Sequence, residues 1–457
     1  MRRPRVPAGA AIAPVLIVAL LACGPNDEAA ETTAPPLPTT THSPPPPLAG
    51  PSTPASISPA PSDGGLSLRF GNVTERSIDL GADGRNTTAA VAGMNSFAVD
   101  LYRAVGAASA DNVVVSPYSV TFALGMIYAG ARGQTATEMA TVLHADLPAA
   151  DWHEGINAYD LTLDARTADS PTTWTAANKV WTRPGLDLRE EFLDVLTGDY
   201  GSPLAEVNFA TDPEAQRDVI NGWVAEQTKE RIPDLFPNGA LSPATVMVLV
   251  NAVALDAPWE FPFDPAATQD ATFTRSDDST VEVPMMHYEE YLPSAWTETY
   301  QAVELPYGGG ALSMVVIVPN DLAAFEAALT TESLEATIAS IEDGGIHLSL
   351  PKWSARTHLT LDDTLAALGM PLAFQPGSAD FSGMVDGGGL WIDRVEHEAF
   401  IEVDEDGTRA AAATGGVMLG SHGPTIEVNR PFLYVVRDRG AGTILFIGRV
   451  TDPSQAP

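Results

Sequence analysis

Residues 29–62 hold 11 of the chain's 38 prolines, mixed with Thr, Ser and Ala, and no Lys or Arg occurs from Cys23 to Leu68. Such a stretch cannot bury enough apolar surface to offset the entropy of ordering it, and its prolines favour extended conformations. It reads as a tether, assigned to residues 23–88, of which 66–88 are ambiguous between tether and fold. The burden of folding falls on the residues C-terminal to it. Folding is expected to start near Val91, leaving about 360 residues, assigned as a domain over 89–455 and long for a single domain.

Composition narrows the function. A hydrophobic content of 45% supplies a sizeable core, and 24 basic against 59 acidic residues give a formal net charge of -35. That balance disfavours nucleic acid, whose phosphates need clustered Lys and Arg, and makes a polyanion activator improbable. The acidity reads as solubility of an exported protein. The single Cys excludes an internal disulfide framework.

Cys23 has its own meaning. Arg2, Arg3 and Arg5 make a basic start, and the apolar stretch Ala8–Ala22 is too short for an ordinary membrane span. Leu20-Leu21-Ala22-Cys23 resembles a bacterial lipobox, although a smaller residue than Leu21 is usual there. The alternative is a plain secretory signal with an incidental thiol. The lipoprotein reading is preferred because the chain's only Cys sits where that reading requires it. Residues 1–22 are then a signal peptide. The protein is expected to be secreted across the cytoplasmic membrane and held at the cell envelope by lipid on Cys23, or otherwise to be extracellular.

Within the domain, Phe97, Leu101 and Val105 recur every four residues, one face of a helix. Asp212-Pro213 opens another helix, with Val219, Ile220, Trp223 and Val224 as its buried stripe. Val246–Leu255, Leu312–Val318 and Leu433–Val436 suit buried strands. Gly308-Gly309-Gly310 and Arg439-Gly440-Ala441-Gly442 sit between such runs as hairpin turns. No internal repeat is present. The mixture implies an α+β architecture with large sheets.

A late run of small residues points to function. Asp404-Glu405-Asp406-Gly407-Thr408-Arg409-Ala410-Ala411-Ala412-Ala413-Thr414 comes after an apolar strand-like segment and precedes a Gly-rich loop, with Asn429-Arg430-Pro431-Phe432 beyond it. A run of alanines alone is more often a linker or a helix start. The two motifs at this separation resemble the hinge and closing signature of serpins, a family of serine protease inhibitors. Upstream segments support the resemblance in order and spacing: Asn112-Val113-Val114-Val115-Ser116-Pro117-Tyr118-Ser119, Leu124–Met139, Asn178-Lys179-Val180-Trp181, Val207-Asn208-Phe209, Leu249-Val250-Asn251-Ala252 and Trp259-Glu260-Phe261-Pro262-Phe263.

The resemblance implies about nine helices around three β-sheets, with an exposed reactive-centre loop over about 405–428. It implies that Ser116, Ser119, Asn251 and His397 form the shutter, a polar cluster under the centre of the main sheet, and that Trp259 lies at the breach, where insertion begins. For His397 alone a satisfied core histidine is the plainer reading, and neither reading makes it catalytic. Trp259 by itself is equally an ordinary core aromatic. The hinge comprises Glu405, Gly407, Thr408, Ala410, Ala411, Ala412 and Ala413. The resemblance also implies a mechanism: a target protease attacks the loop, and the cut loop inserts as a new strand before the acyl-enzyme hydrolyses.

A physical test of insertion lies in the hinge. Alternate side chains of an inserted strand must face the core. With Thr408 inward, so are Ala410, Ala412, Thr414 and Gly416, all small, while Arg409 faces out. From Gly407 to Leu419 such a strand spans 12 steps, roughly 40 Å at ~3.3 Å per residue. Gly415 and Gly416 run against the pattern, each costing roughly 0.5–1 kcal/mol relative to Ala.

The bait bond is bounded rather than fixed. Counting from the hinge places Ser421 before it; counting back from Asn429 places Gly420 there; and Met418 and Leu419 are the large apolar side chains that chymotrypsin-, elastase- or subtilisin-like pockets would take. Cleavage is expected within Met418, Leu419, Gly420, Ser421 and His422. No Lys or Arg lies between Arg409 and Arg430, which disfavours trypsin-like targets.

Two rivals remain. An enzyme is a poor reading: Ser421 and His422 are adjacent, and the chain holds no G-x-S-x-G, no H-E-x-x-H and no complete phosphate loop. His153-Glu154 and His397-Glu398 lack a second His at metal-site spacing, so no metal and no cofactor is expected. A non-inhibitory surface scaffold of the same fold stays open through Gly415-Gly416. The expected partner is a serine protease (a cysteine protease is also compatible), with membrane contact only through the lipid, and a monomer.

Overall fold

Three runs of apolar residues define the interior. Leu312–Pro319 (β12), Phe432–Asp438 (β18) and Ile444–Val450 (β19) are almost wholly buried, as continuous hydrophobic strands are when both faces are covered. They form the centre of a six-stranded antiparallel sheet ordered β10-β11-β12-β18-β19-β4, completed by Ser294–Trp296 (β10), Tyr300–Pro306 (β11) and Val113–Val115 (β4). Both expected glycine turns fall inside this sheet. Gly309 and Gly310, at φ 88° and 68°, turn the chain from β11 into β12, where a side chain would be strained.

The computed structural model describes residues 55–56, 63, 65–73, 75–76, 84–408 and 424–456, all within the unit Pro45–Pro457. The expected signal peptide, Cys23, most of the tether and the loop 409–423, with Ala410, Ala411, Ala412, Ala413 and Met418–His422, lie outside these residues.

A second sheet has seven strands in the order β14-β15-β16-β7-β5-β6-β2. They are Trp353–Thr360 (β14), Val395–Val403 (β15), Gly407–Thr408 (β16), Met247–Pro258 (β7), Thr173–Thr182 (β5), Leu204–Glu206 (β6) and Ser67–Arg69 (β2). A third, four-stranded sheet contains Thr425–Glu427 (β17), Gly345–Pro351 (β13), Thr280–Tyr291 (β9) and Gln269–Thr274 (β8). A two-residue pairing of Ala55–Ser56 (β1) with Glu75–Arg76 (β3) stands apart from them.

Nine α-helices occur among the described residues: Arg85–Ala108 (α1), Pro117–Tyr128 (α2), Gly133–Val142 (α3), Ala149–Thr167 (α4), Glu190–Gly198 (α5), Pro213–Gln227 (α6), Leu322–Ala327 (α7), Thr331–Ala339 (α8) and Asp362–Leu368 (α9). The α+β class and the nine-helix, three-sheet plan agree with the sequence reading. Every residue of α2 is buried, as expected of a helix apolar all round. It packs against β5, β7 and β19, and so lies between the two large sheets.

Two expectations need correction. Val219 is 41% exposed, so the buried stripe of α6 is Ile220, Trp223 and Val224. The helix covers the sheet through one narrow face, and Val219 falls at its solvent edge. The boundary of the tether at 88 is also too late. Helix α1 starts at Arg85, and β2 pairs antiparallel with β6, placing Leu68 opposite Ala205. Asp63 is 4% exposed and accepts hydrogen bonds from Lys179 Nζ (2.9 Å) and Trp223 Nε1 (2.9 Å). A three-residue edge strand is too short to display a periodicity, and a lone Asp has no sequence signal for burial.

Candidate functional site: the gap in the seven-stranded sheet

Strands β7 and β15 pair side by side in parallel, from Val395 opposite Leu249 to Phe400 opposite Ala254. Beyond that point they part, and β16 enters between them, antiparallel to both: Thr408 lies opposite Val403 on one side and Ala257 on the other. Below β16 the two strands close directly on each other through six parallel pairs, which leaves an opening only at Leu255 and Asp256, between the last of those pairs and Thr408.

The chain leading into β16 is held firmly. Asp404 Oδ1 accepts from the backbone N–H of Asp406 (3.0 Å) and of Gly407 (3.3 Å), a short Asx-type turn. Gly407 has φ 155°, and a Cβ there would meet the Ala257 carbonyl oxygen at 2.3 Å. No other residue fits. Burial alone would raise the Glu405 carboxyl, but hydrogen bonds from Lys352 Nζ (2.6 Å) and Thr268 Oγ1 (2.7 Å) outweigh it and hold the group below the ordinary glutamate range. Trp259 is buried, donating Nε1–H to the Asp404 carbonyl (3.0 Å) and its backbone N–H to the Asp406 carbonyl (2.9 Å). Its ring stacks on Tyr307 at 4.8 Å with 4° between planes, and the Tyr307 hydroxyl meets Thr408 Oγ1 at 2.5 Å. Thus Trp259, Glu405, Gly407 and Thr408 come together at the entrance of the gap.

A second cluster lies lower on the same strand. Asn251 is seven residues from Pro258, roughly 23 Å at ~3.3 Å per residue. Ser116 caps α2 with its Oγ and donates that hydroxyl to the Leu445 carbonyl (2.8 Å). Its backbone N–H donates to His397 Nε2 (3.2 Å). That nitrogen is therefore the unprotonated one, and His397 Nδ1–H donates to Asn251 Oδ1. Asn251 Nδ2 in turn donates to Ser119 Oγ (2.6 Å) and Asn178 Oδ1 (2.6 Å). Burial, together with the nearby His358, lowers His397 to about 3, so the ring is neutral. Ser116, Ser119, Asn251 and His397 thus form one buried hydrogen-bonded network that spans β7, β15 and α2.

Several contributors were not singled out from sequence. Asn178 on β5 joins the network, Tyr307 completes the contact to Thr408, and Lys352 anchors Glu405. Asn178 lay within a recognised motif, and that was its signal. On the opposite face of β15, buried Glu396 and Glu398 are held from β14: His358 Nε2 lies 3.0 Å from Glu396 and its Nδ1 3.5 Å from Glu398, while Arg356 pairs with Glu398. The strict alternation of Val395-Glu396-His397-Glu398-Ala399 assigns the carboxylates to one face and the imidazole to the other.

The model of the serpin (serine protease inhibitor) family matches residues 92–453. The chain belongs to the serpin family. It is 38% identical over 370 residues to a serpin-like protein of Thermococcus kodakarensis, covering 79% of this chain and 85% of that one. It is 34% identical over 373 residues to the leukocyte elastase inhibitor of Bos taurus, covering 78% and 97%. Among solved structures, the thermophilic serpin tengpin in its native state superposes with a TM-score of 0.72 at 28% identity, covering 87% of this chain and 99% of that one. Serpins are in general protease inhibitors rather than catalysts, and the family's general class of partner is a protease.

Proposed function

We propose that this serpin inhibits serine proteases as a single-use covalent trap. The loop 409–423 is cleaved within Met418–His422, and its N-terminal part then enters the gap between β7 and β15 while the protease is still attached as an acyl-enzyme. The inhibitor supplies no catalytic group. The observation that carries this reading is the gap itself, with β16 already antiparallel to both of its walls at the entrance.

Continuing that register brings Ala410 opposite Leu255 and Ile401, Ala412 opposite Val253 and Ala399, and Thr414 opposite Asn251 and His397. These flanking side chains are buried, so the small inward row is what the space accepts. Insertion moves β7 and β15 apart by one strand, about 4.8 Å. The His397–Asn251 bond then breaks, and the Thr414 hydroxyl, both donor and acceptor, lands between the two groups. Six parallel pairs are exchanged for two antiparallel ladders, at a net ~1 kcal/mol per added hydrogen bond. The apolar Met418 and Leu419, and the absence of Lys or Arg between Arg409 and Arg430, favour chymotrypsin-, elastase- or subtilisin-like targets. The relatives named leukocyte elastase inhibitor support the same choice.

The test is to mix the purified protein with chymotrypsin, pancreatic elastase and subtilisin. An SDS-resistant band at the summed mass is expected, with the released C-terminal peptide locating the bond. Cleavage without that band at excess inhibitor, and no rise in melting temperature on nicking, would sink the trap. A non-inhibitory scaffold is then the reading favoured by Gly415-Gly416. We further infer that Cys23 carries lipid and holds the domain at the cell envelope. Membrane retention lost in Cys23→Ser supports this; unchanged retention removes it.

A further inference from the structure

Between the last parallel pair, Ala254 with Phe400, and the first residue under β16, Ala257, the residues Leu255 and Asp256 have no strand neighbour on the gap side. Trp259 donates its N–H across the gap to Asp406, and residues two apart on a strand direct their backbone groups to the same edge. The Leu255 carbonyl therefore faces the gap. Its partner there is a side chain: Arg231 Nη1 donates to it (3.2 Å), while Arg231 Nη2 donates to the Asp256 carboxylate (2.8 Å). Continuing the register of β16 by two residues assigns the same carbonyl to the N–H of Ala410.

We propose that Arg231 is a plug that sets the rate of strand insertion. The guanidinium occupies the hydrogen-bonding position that the incoming strand must take first, and it has to leave before the strand advances. The plug presupposes the insertion reading of the proposed function. Two further observations mark Arg231 as deliberately placed. The preceding residues, Lys229 and Glu230, are both non-glycine and both left-handed, at φ 51° and 63°. Consecutive strain of this kind persists only where its surroundings enforce it. The enforcement is visible: Glu230 N–H donates to the Ala225 carbonyl (2.7 Å), and Ile232 N–H donates to Thr228 Oγ1 (3.1 Å). This turn brings the chain from the end of α6 back over the gap. From the far side, Arg356 on β14 donates Nη2 to the Arg231 carbonyl (3.1 Å). Arg231 is thus tied to β7, one wall of the opening, and to β14, the strand beyond its other wall β15, and its side chain is nine-tenths buried.

The probe is a synthetic peptide of residues 408–420, added to the purified full chain and tracked by native gel. Arg231→Met should take up the peptide about tenfold faster than wild type, the loss of a charged donor to a carbonyl. Asp256→Asn, which removes only the anchoring charge, should be roughly threefold faster and guards against a misfolded first variant. Arg231→Met should also lower the melting temperature of the native protein but not of the loop-nicked protein, where the bond has been exchanged. Wild-type uptake rates in both variants, or equal destabilisation of native and nicked forms, overturn the proposal. If wild type neither takes up peptide nor gains stability on nicking, the insertion reading itself fails and the plug falls with it.

Discussion

Burial drives the His397 imidazole down to about 3, and His153, enclosed with Tyr200 and further depressed by Arg132, also to about 3. Unfolded, both rings bind a proton near 6.5, so the unfolded state holds more protons between those values. Their contribution to stability is complete above 6.5 and falls with decreasing pH, by about 1.4 kcal/mol per unit for each fully buried ring. His358 runs the other way. Hydrogen bonds to Glu396, then Glu398, raise it to about 9, so its contribution is present below 6.5 and is lost as pH rises through 9. Melting temperature should therefore peak near neutrality, and His358→Gln should flatten the alkaline side, with a smaller easing of the acid side because a charge that depresses His397 is lost. Asn251→Ala removes the acceptor of His397 and the donor to Ser119 and Asn178, leaving buried groups unpaired. A loss of about 2–3 kcal/mol is expected in denaturant unfolding.

At the level of elements, the inward row of the loop is the part most directly testable. Ala412 maps opposite Val253 and Ala399, both fully buried. If the proposed insertion occurs, Ala412→Glu would place a carboxylate in that space after cleavage. The variant should be cut by the target protease at the wild-type rate, form no SDS-stable complex and gain no thermal stability once nicked. Wild-type complex formation by this variant would refute the register. The sequence made this row legible because strand alternation has a period of two. It could not reveal Arg231, whose role depends on a left-handed turn bringing it over a strand that starts 16 residues later at Met247.

Across the whole molecule, the fold begins earlier than composition suggests. The carboxylate of Asp63 is enclosed between Lys179, on β5, and Trp223, on α6, so the segment before α1 ties the gap-bearing sheet to the helix lying over it. Breaking a buried pair by removing one partner leaves the other charge uncompensated. Asp63→Ala should cost about 3 kcal/mol in chemical unfolding. A change below about 0.5 kcal/mol would mean that Lys179 finds water instead.

The family, the α+β class and the identities of the polar residues around Asn251 were all legible in the sequence, because they rest on local order, spacing and alternation. The hinge row Ala410–Ala413 and the proposed cleavage region Met418–His422 rest on the sequence alone and lie outside the described residues. Tertiary structure alone decided that β7 and β15 close against each other below β16, that Tyr307 receives Thr408, that Asn178 completes the network, and that Asp63 and Arg231 are enclosed. Each of these joins residues far apart in the chain through one hydrogen bond or one ring contact. Such a contact leaves no periodicity to read, and its energy depends on desolvation that only the folded neighbours impose.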